Sequence, residues 1–335
     1  MSARSTFTRL AIALLGSTML AGEVRADTLT VPSEAFPTIQ SAVDAAQDGD
    51  IVLIAPGLYS ESVTVTTNGI SLIAKGSVRL VGTAAGAALR LAGNDISVQK
   101  LRITGSQGAG VRITGSGALL FRCRIQDVPG NAVELAGANA WIERSLILRP
   151  GLNGGLIGSD GNTWVRTRIV DAGVNGILES LDGPVAGNRY ERLGIVRAGD
   201  RGMRLTGSAS HVHHSRIARA ADDGIRAHGS INVIEWNRIV RCGNDGIEMD
   251  GDLAVVHGNR VLKSGADGIE LDGNEGSYSS NRVLGSTESG FQLSEGIDNV
   301  LSFNVAKGSG DFDPKDDVGG MNIVEDNNKF KTTGP

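Results

Sequence analysis

The chain has 335 residues, of which 47 are glycine and 4% are aromatic, and its formal net charge is −5 at pH 7. This length permits one large domain or two to three ordinary ones. The glycines indicate many tight turns, and the scarcity of aromatic residues indicates a core of small and β-branched side chains rather than a helical or doubly wound fold. The acidic balance argues against a nucleic-acid-binding protein, which would be basic.

Residues 1–26 have the pattern of a secretory signal peptide. Arg4 and Arg9 precede an apolar run at 10–15, and Val24-Arg25-Ala26 is an acceptable cleavage signal. The apolar run is too short for a membrane anchor, and no later segment approaches the length of a membrane span. We therefore exclude 1–26 from the fold and expect export, to the periplasm or the medium, after cleavage near Ala26.

The next element, at 36–50, reads FPTIQSAVDAAQDGD and predicts a short helix that forms an N-terminal cap. Pro37 lies near its first turn and Gly49 lies past its end. Ile39 and Val43 are one turn apart, so we expect both to plug the open end of whatever follows.

From Ala87 to residue 310 the chain divides into ten rows, nine of 22 residues and one, 175–200, of 26. A fixed period of this size predicts a solenoid. Each row has an x-Gly turn, an alternating triplet such as Ile247-Glu248-Met249, a glycine-rich corner, a second apolar patch and an Asn-Arg-Ile/Val motif. This pattern predicts three short strands per row, and therefore one coil of an all-β parallel β-helix.

Residues at the same position of successive rows should stack about 4.8 Å apart. We expect one inward column formed by Ile103, Ile125, Ile147, Ile169, Ile217, Ile239, Val261, Val283 and Val305. Asn237, Asn259 and Asn281 should form a hydrogen-bonded ladder at a corner. Cys123 and Cys242 fall in different columns about 24 Å apart, which excludes a disulfide between them.

The last segment, 311–335, is rich in charge and predicts a C-terminal cap, a terminal turn that discourages end-to-end stacking. We therefore expect a single β-helix domain at 27–335, and a monomer.

The segment FPTIQSAVDAAQDGDIVLIAPGLYSESVTV (36–65) resembles the entry segment of the pectin-lyase-like right-handed parallel β-helix proteins, in particular pectin methylesterases. The rows that end in Asn-Arg-Ile/Val resemble the generic parallel β-helix repeat. The resemblance implies a single-stranded right-handed parallel β-helix, and it covers nearly the whole mature chain. Together with the charged residues described below, it predicts binding or processing of an acidic polysaccharide on the outer face of the first strand.

The sequence does not contain the complete catalytic motifs of the known enzymes with this fold. The two aspartate segments and the Leu-Gly-Arg-Pro-Trp of pectin methylesterases are missing, and the polygalacturonase pattern is present only as the fragments Asp222-Asp223 and His228-Gly229. Asp313-Pro314-Lys315-Asp316 resembles the Asp-Pro-His-Asp/Glu signature of mannuronan epimerases, but a lysine replaces the histidine. We interpret this stretch first as part of the cap.

The first strands carry the main candidate site, because their alternation places every second side chain on the outside. The outward positions down the rod are Arg204, Thr206, Arg226, His228, Glu248, Asp250, Glu270, Asp272, Gln292 and Ser294. Like charges opposite one another destabilise a sheet, so relief must come from Arg226, from a raised pKa, or from Ca²⁺ bound by Asp250 and Asp272.

This patch is open to several interpretations. Glu248, Asp250, Glu270 and Asp272 are the candidate catalytic residues of a lyase, epimerase or hydrolase. Hydrolase spacings cannot be distinguished here. In a lyase or epimerase His228 would assist as base, and Arg204 and Arg226 would bind a uronate carboxylate. The alternatives are a solvated charged face, or a non-catalytic surface or scaffold solenoid that binds carbohydrate.

Row 175–200 holds four extra residues, which we expect to bulge from the stack. Glu179 stands where other rows have an inward apolar residue, and we expect a bulge to turn it outward. Tyr190, Arg189 and Arg192 nearby could contact a sugar. In an ordinary surface loop the same residues would have no such role.

Two further columns are weaker candidates. His213, Glu235 and His257 share a column, with His211 nearby, but the outer two would be about 9–10 Å apart, which is wide for a metal site. An arginine column, which could follow an anionic polysaccharide, has a structural explanation that we favour because it runs the full rod. It comprises Arg102, Arg124, Arg168, Arg216, Arg238, Arg260 and Arg282.

Overall fold

The structure is a computed structural model that describes residues 26–83, 85–105, 107–179, 183, 185–311, 314–317, 322–325 and 328–331. Residues 1–25 of the expected signal peptide and Asp313 lie outside this part of the chain. Within it, the helix that forms is too short to cross a membrane.

The described residues form three parallel sheets of 12, 14 and 13 strands, which confirms the predicted β-helix with three strands per coil. Sheet 1 contains Val63–Val65, Leu89–Leu91, Val111–Ile113, Val133–Leu135, Gly155–Ile157, Ile177–Glu179, Met203–Leu205, Ile225–Ala227, Ile247–Met249, Ile269–Leu271, Phe291–Leu293 and Lys315–Asp316. Sheet 2 contains Thr28–Val31, Ile51–Ile54, Ser71–Ala74, Ser97–Gln99, Leu119–Phe121, Trp141–Glu143, Thr163–Val165, Arg189–Glu191, His211–His213, Val233–Glu235, Val255–His257, Ser277–Ser279, Val300–Ser302 and Ile323–Val324. Sheet 3 contains Gly57–Ser60, Val78–Gly82, Arg102–Gly105, Arg124–Gln126, Leu146–Leu148, Arg168–Ala172, Gly194–Ala198, Arg216–Ala218, Arg238–Val240, Arg260–Leu262, Arg282–Leu284, Val305–Lys307 and Lys329–Lys331.

The interior of the rod is a continuous apolar core built mainly from the central residues of the strands in sheets 2 and 3 and from the first and last residues of most sheet 1 strands. The predicted inward column is correct from Ile103 to Val283, and it also includes Ile195. Its last member is wrong, because Val283 pairs with Ala306 and Val305 pairs with Arg282. The last row is therefore 23 residues long, since one additional residue lies between the strands Phe291–Leu293 and Val300–Ser302.

The N-terminal helix is Ile39–Ala45, within the predicted segment. Thr38 caps it, since its hydroxyl accepts from the backbone N–H of Ser41. Glu61 accepts from the backbone N–H groups of Ile39 and Gln40, so a carboxylate faces the positive end of the helix. Ile39 and Val43 are buried, as expected for a plug.

The asparagine ladder forms at the corner between sheets 2 and 3. The side-chain oxygens of Asn259 and Asn281 accept from the backbone N–H of Asn237 and Asn259, respectively, at 2.9 Å. The ladder continues through Asn304 to Asn328. Each amide satisfies a backbone donor that the corner would leave unpaired, which explains why the position recurs. The two cysteines form no disulfide, as predicted, and both are buried.

The C-terminal segment differs from the expected terminal turn. Its described residues add one more strand to each sheet, Lys315–Asp316, Ile323–Val324 and Lys329–Lys331. The stacking therefore continues almost to the end of the chain, and Lys315 pairs with Gln292 in sheet 1 rather than lying in a cap.

Candidate functional site

The outward positions of sheet 1 bring the predicted carboxylates together. Glu248 lies in register with Arg226 on one side and Glu270 on the other. One oxygen from each of Glu248, Asp250 and Asp272 lies within 4.8 Å of the others. We call this surface the carboxylate face, and its acids are Asp223, Asp245, Glu248, Asp250, Asp267, Glu270 and Asp272.

Three of these acids, Asp223, Asp245 and Asp267, were missed by the sequence analysis. They occupy the turn before each strand and are buried, with 0%, 3% and 4% exposure. Asp223 and Asp245 accept the backbone N–H of the aspartate one coil further on, and Asp267 accepts that of Ser289. Earlier coils use asparagine for this bond. The sequence signal for these acids is Asp-Gly at the position where the rows at 153 and 175 have Asn-Gly, and the turn pattern alone does not distinguish the two.

Arg226 and His228 supply the polar contacts between the acids. The Arg226 guanidinium contacts Glu248 Oε1 at 2.9 Å and Asp250 Oδ2 at 3.2 Å. Its Nε donates to His228 Nε2 at 3.0 Å, while His228 Nδ1 contacts Asp250 Oδ2. Because Nε2 accepts, the imidazole proton lies on Nδ1 and is donated to Asp250. Relief of the charge repulsion by Arg226 was predicted, and this histidine tautomer was not.

Three carboxylate oxygens of the face have no hydrogen-bond partner in the described part of the chain, although they are buried. They are Glu248 Oε2, Asp250 Oδ1 and Asp272 Oδ1. Glu248 as a whole is only 6% exposed. A buried oxygen without a donor is costly, and converging carboxylate oxygens are the ligands that Ca²⁺ prefers. The residues present therefore fit a hard divalent cation held by Glu248, Asp250 and Asp272.

The pKa values of the acids on the carboxylate face are shifted in opposite directions. Burial, followed by repulsion from Asp223 and Asp250, raises the pKa of Glu248 to about 9. Burial also raises the pKa of Asp245 to about 8 and that of Asp272 to about 6. For Asp250 burial is opposed by hydrogen bonds from His228 and Arg226, and its pKa is lowered. At neutral pH a protonated acid and an ionised acid therefore lie side by side.

The outward residues at the two ends of the sheet 1 column also lie where they were predicted. Arg204 precedes Arg226 in register, and its Nε is buried with no hydrogen-bond partner among the described residues. Ser294 donates to Glu270 Oε1 at 2.8 Å, and Gln292 donates to Ser294. The column therefore runs from cations through acids to neutral groups.

Of the two predicted sugar contacts in the longer row, that of Tyr190 is wrong and that of Arg192 stays a prediction. Tyr190 is fully buried, and its hydroxyl donates to Glu179 Oε1 at 2.9 Å, so it cannot reach a ligand. Arg192 is exposed but follows a strand of sheet 2, away from the carboxylate face, where it pairs with Glu191 at 2.8 Å. Sequence spacing alone did not reveal that position 190 of this longer row faces inward.

Glu179 is likewise buried rather than turned outward by a bulge. In addition to Tyr190, its carboxylate accepts from Asn188, from the hydroxyl of Ser210 and from the backbone N–H of Gly207. Four donors compensate for burial of the carboxylate, which is why the row needs no bulge at this position.

The histidine column exists but does not converge on a metal. His213, Glu235 and His257 lie in register. His211 contacts Glu235 at 2.9 Å, and His257 contacts the Ser279 hydroxyl instead. Burial lowers the pKa of His213 to about 4, with Arg189 adding to the effect. In the described residues, the groups of three or more ligands all lie on the carboxylate face.

The comparisons with known proteins agree with the geometry of the rod. Residues 86–252 match the family described as right handed beta helix region. The fold is a right-handed β-helix. The predicted resemblance to pectin-lyase-like β-helix proteins is thereby confirmed, whereas no curated protein matches the sequence.

Solved structures with this fold include enzymes and an adhesin. The A-module of mannuronan C-5 epimerase AlgE6 from Azotobacter vinelandii superposes with a TM-score of 0.75 at 14% identity, covering 87% of this chain and 94% of that one. A GH87 α-1,3-glucanase from Streptomyces thermodiastaticus gives 0.59 at 17% identity, covering 94% and 69%. PfbA, a surface adhesin of Streptococcus pneumoniae, gives 0.58 at 13% identity, covering 88% of each chain. At these identities the likeness establishes the fold alone.

Proposed function

We propose that the carboxylate face binds an acidic polysaccharide and processes it as a lyase or epimerase, with a divalent cation held by Glu248, Asp250 and Asp272. The observation that carries this proposal is the set of three buried oxygens without hydrogen-bond partners beside the Arg226 guanidinium. One oxygen from each of these three acids lies within 4.8 Å of the others, a spacing that allows the three residues to share one cation.

The residues of the face suit proton transfer next to a uronate carboxylate. Arg204 and Arg226 offer positive charge to that carboxylate, which makes the neighbouring C–H more acidic. His228 and the ionised Asp250 form a hydrogen-bonded pair of the kind that accepts a proton. Glu248, whose pKa is raised where no cation is bound, would be ionised as a ligand, so we assign it to the cation and not to proton transfer. A bound Ca²⁺ would add to the neutralisation of the uronate carboxylate.

The first experiment is a thermal melt of the protein with Ca²⁺, with Mg²⁺ and with a chelator, alone and with oligouronates. A ligand that binds only the folded state raises the midpoint. We expect a Ca²⁺-dependent rise that is lost in Asp250→Asn/Asp272→Asn. The matched control, Glu275→Gln/Glu288→Gln, removes two exposed acids from the same part of the rod and should retain the rise.

Activity assays then separate the chemistries. Polygalacturonate and polymannuronate should yield either unsaturated ends, for a lyase, or exchange of a ring proton with deuterated water, for an epimerase. A protein that shows no Ca²⁺ shift and neither product would contradict the proposal. The alternative is a non-catalytic carbohydrate-binding scaffold; a surface adhesin, PfbA, has the same fold. Such a scaffold would tolerate Asp250→Asn/Asp272→Asn and lose binding when whole coils are deleted.

We also propose that the chain is exported, on the basis of residues 1–26. Determination of the N-terminal residue of the protein recovered from the producing cells tests this. Cleavage near Ala26 supports export, and an intact N-terminus in the cytoplasm contradicts it.

A further inference from the structure

Sheet 3 carries a second charged surface, opposite in sign to the carboxylate face. The predicted arginine column forms along the outer edge of its strands, interrupted by Leu146 and Gly194. Its last four members, Arg216, Arg238, Arg260 and Arg282, occupy consecutive coils in register and are exposed.

A second column lies three residues after the start of each sheet 3 strand from Arg124–Gln126 to Arg260–Leu262, in a left-handed backbone conformation. In the N-terminal half this column alternates in sign, and its members pair. Arg149 contacts Asp127 at 2.7 Å, and Arg197 contacts Asp171 through both carboxylate oxygens. The arginines there are neutralised within the column.

In the C-terminal half the alternation ends. The next three members are Arg219, Arg241 and Lys263, all exposed. Within the part of the chain that the structure describes, none of the three forms an ion pair. The backbones of these three cationic residues are about 4.8 Å apart, so their charges repel one another. The paired column of the N-terminal half therefore continues as an unpaired one that attracts anions.

Between the two cationic columns lies a groove with an aliphatic floor. The floor is a register column of Val196, Ala218, Val240, Leu262 and Leu284. The groove has a volume of about 670 Å³. We call it the cationic groove; the cations that line it are Arg168, Arg216, Arg219, Arg241 and Lys263. Arg238, Arg260 and Arg282 continue the register column of Arg216 beside the floor.

We propose that the cationic groove is a separate binding site for an acidic polysaccharide chain, lying along the rod. The coil repeat of about 4.8 Å is close to the length of one pyranose ring, so successive uronates can meet successive pairs of cations. The aliphatic floor suits the C–H faces of sugar rings. The groove is concave, which suits a chain better than a flat lipid surface, and the protein's net charge of −5 disfavours nucleic acid.

This site is independent of the proposed function, because its residues belong to sheet 3 and include no member of the carboxylate face. It would hold the polymer whether or not sheet 1 acts on it. The test is therefore run with chelator present, so that binding supported by a divalent cation at the carboxylate face does not contribute.

The experiment measures binding of a fluorescent oligogalacturonate about ten residues long to the whole protein over a range of salt concentrations. We expect Arg219→Gln/Arg241→Gln/Lys263→Gln to weaken binding roughly tenfold and to reduce its salt dependence. The control, Arg144→Gln/Arg166→Gln/Arg192→Gln, removes three positive charges from equally left-handed positions beside sheet 2 and should change binding less than about twofold.

Two further arms decide among ligands and sites. The groove variant should show the same melting response to Ca²⁺ as the parent protein, because none of its three substitutions lies on the carboxylate face. Vesicles of phosphatidylglycerol and phosphatidylcholine should not bind. Equal binding by the groove variant and the parent protein, or capture of vesicles in place of the oligosaccharide, overturns the proposal.

Discussion

The carboxylate face and the cationic groove occupy the same coils, and both stack like charges at the strand spacing, yet they tolerate the repulsion differently. The acids are short and mostly buried, so the pKa of Glu248 rises to about 9 and a proton removes much of the charge. The cations sit on long side chains that extend into water, where screening weakens their repulsion.

The comparison shows that the same stacking rule produces two kinds of surface. Where the acids are buried, their charge is coupled to pH and to fixed partners, Arg226 for Glu248 and Asp250 and Arg201 for Asp223. Where the column is exposed, the charge is permanent and available to a ligand. Breaking either arrangement should therefore have different consequences for stability.

The largest difference should come from removing one arginine from each surface. Arg226→Gln deprives Glu248 and Asp250 of their shared cation, and we expect unfolding at pH 8 to become easier by about 2–3 kcal/mol. Arg241→Gln removes an unpaired exposed charge and should change the free energy of unfolding by no more than about 0.5 kcal/mol. Urea denaturation of both variants checks this. Equal losses would show that the two columns are held in the same way.

The pH dependence of stability should come from the buried column. The pKa of Glu248 is about 9 in the folded state and about 4.3 in an unfolded chain, so the folded state binds more protons between these values. Stability must therefore fall as the pH rises through this window. We expect Glu248→Gln to reduce the fall by about 2 kcal/mol between pH 6 and pH 9.

The control for this measurement is Glu134→Gln, which lies in the same column of sheet 1 but pairs with Arg112 in the N-terminal half. Its melting temperature should follow that of the parent protein at each pH. If Glu248→Gln also follows the parent protein, the carboxyl group of Glu248 is not the source of the pH dependence.

A smaller, stabilising effect is expected from Asp245→Asn. The asparagine oxygen can still accept the backbone N–H of Asp267, as Asn131 accepts that of Asn153, while the repulsion from Asp267 and Glu270 disappears. We expect the free energy of unfolding to increase by about 1 kcal/mol at pH 9 and to stay unchanged at pH 5, where Asp245 is protonated. The reverse change, Asn153→Asp, should destabilise at pH 9. Denaturation at both pH values checks the pair.

The fold was predictable from the sequence because a period of 22 residues fixes which side chains stack. The same rule found Glu248, Glu270 and Arg226. It failed where burial depends on neighbours outside the column, as for Glu179 and Tyr190, which were placed outside although they pair in the interior. It also missed the buried aspartates before the strands, because asparagine and aspartate fill a ladder position equally well until the charge of the next coil is considered.

The smallest effect tests whether the cationic groove is built for a ligand rather than for the fold. Asp127 and Asp171 hold the left-handed position in the N-terminal half, so an aspartate fits that backbone at 241 as well. Arg241→Asp would stand between Arg219 and Lys263 and restore the alternation of the earlier coils. We expect it to stabilise the protein by up to about 0.5 kcal/mol while weakening oligogalacturonate binding. A gain in stability with loss of binding means that the uncompensated charge serves recognition. A loss of stability would mean that the three cations stabilise the fold. The charged residues of both surfaces would then have the same structural role.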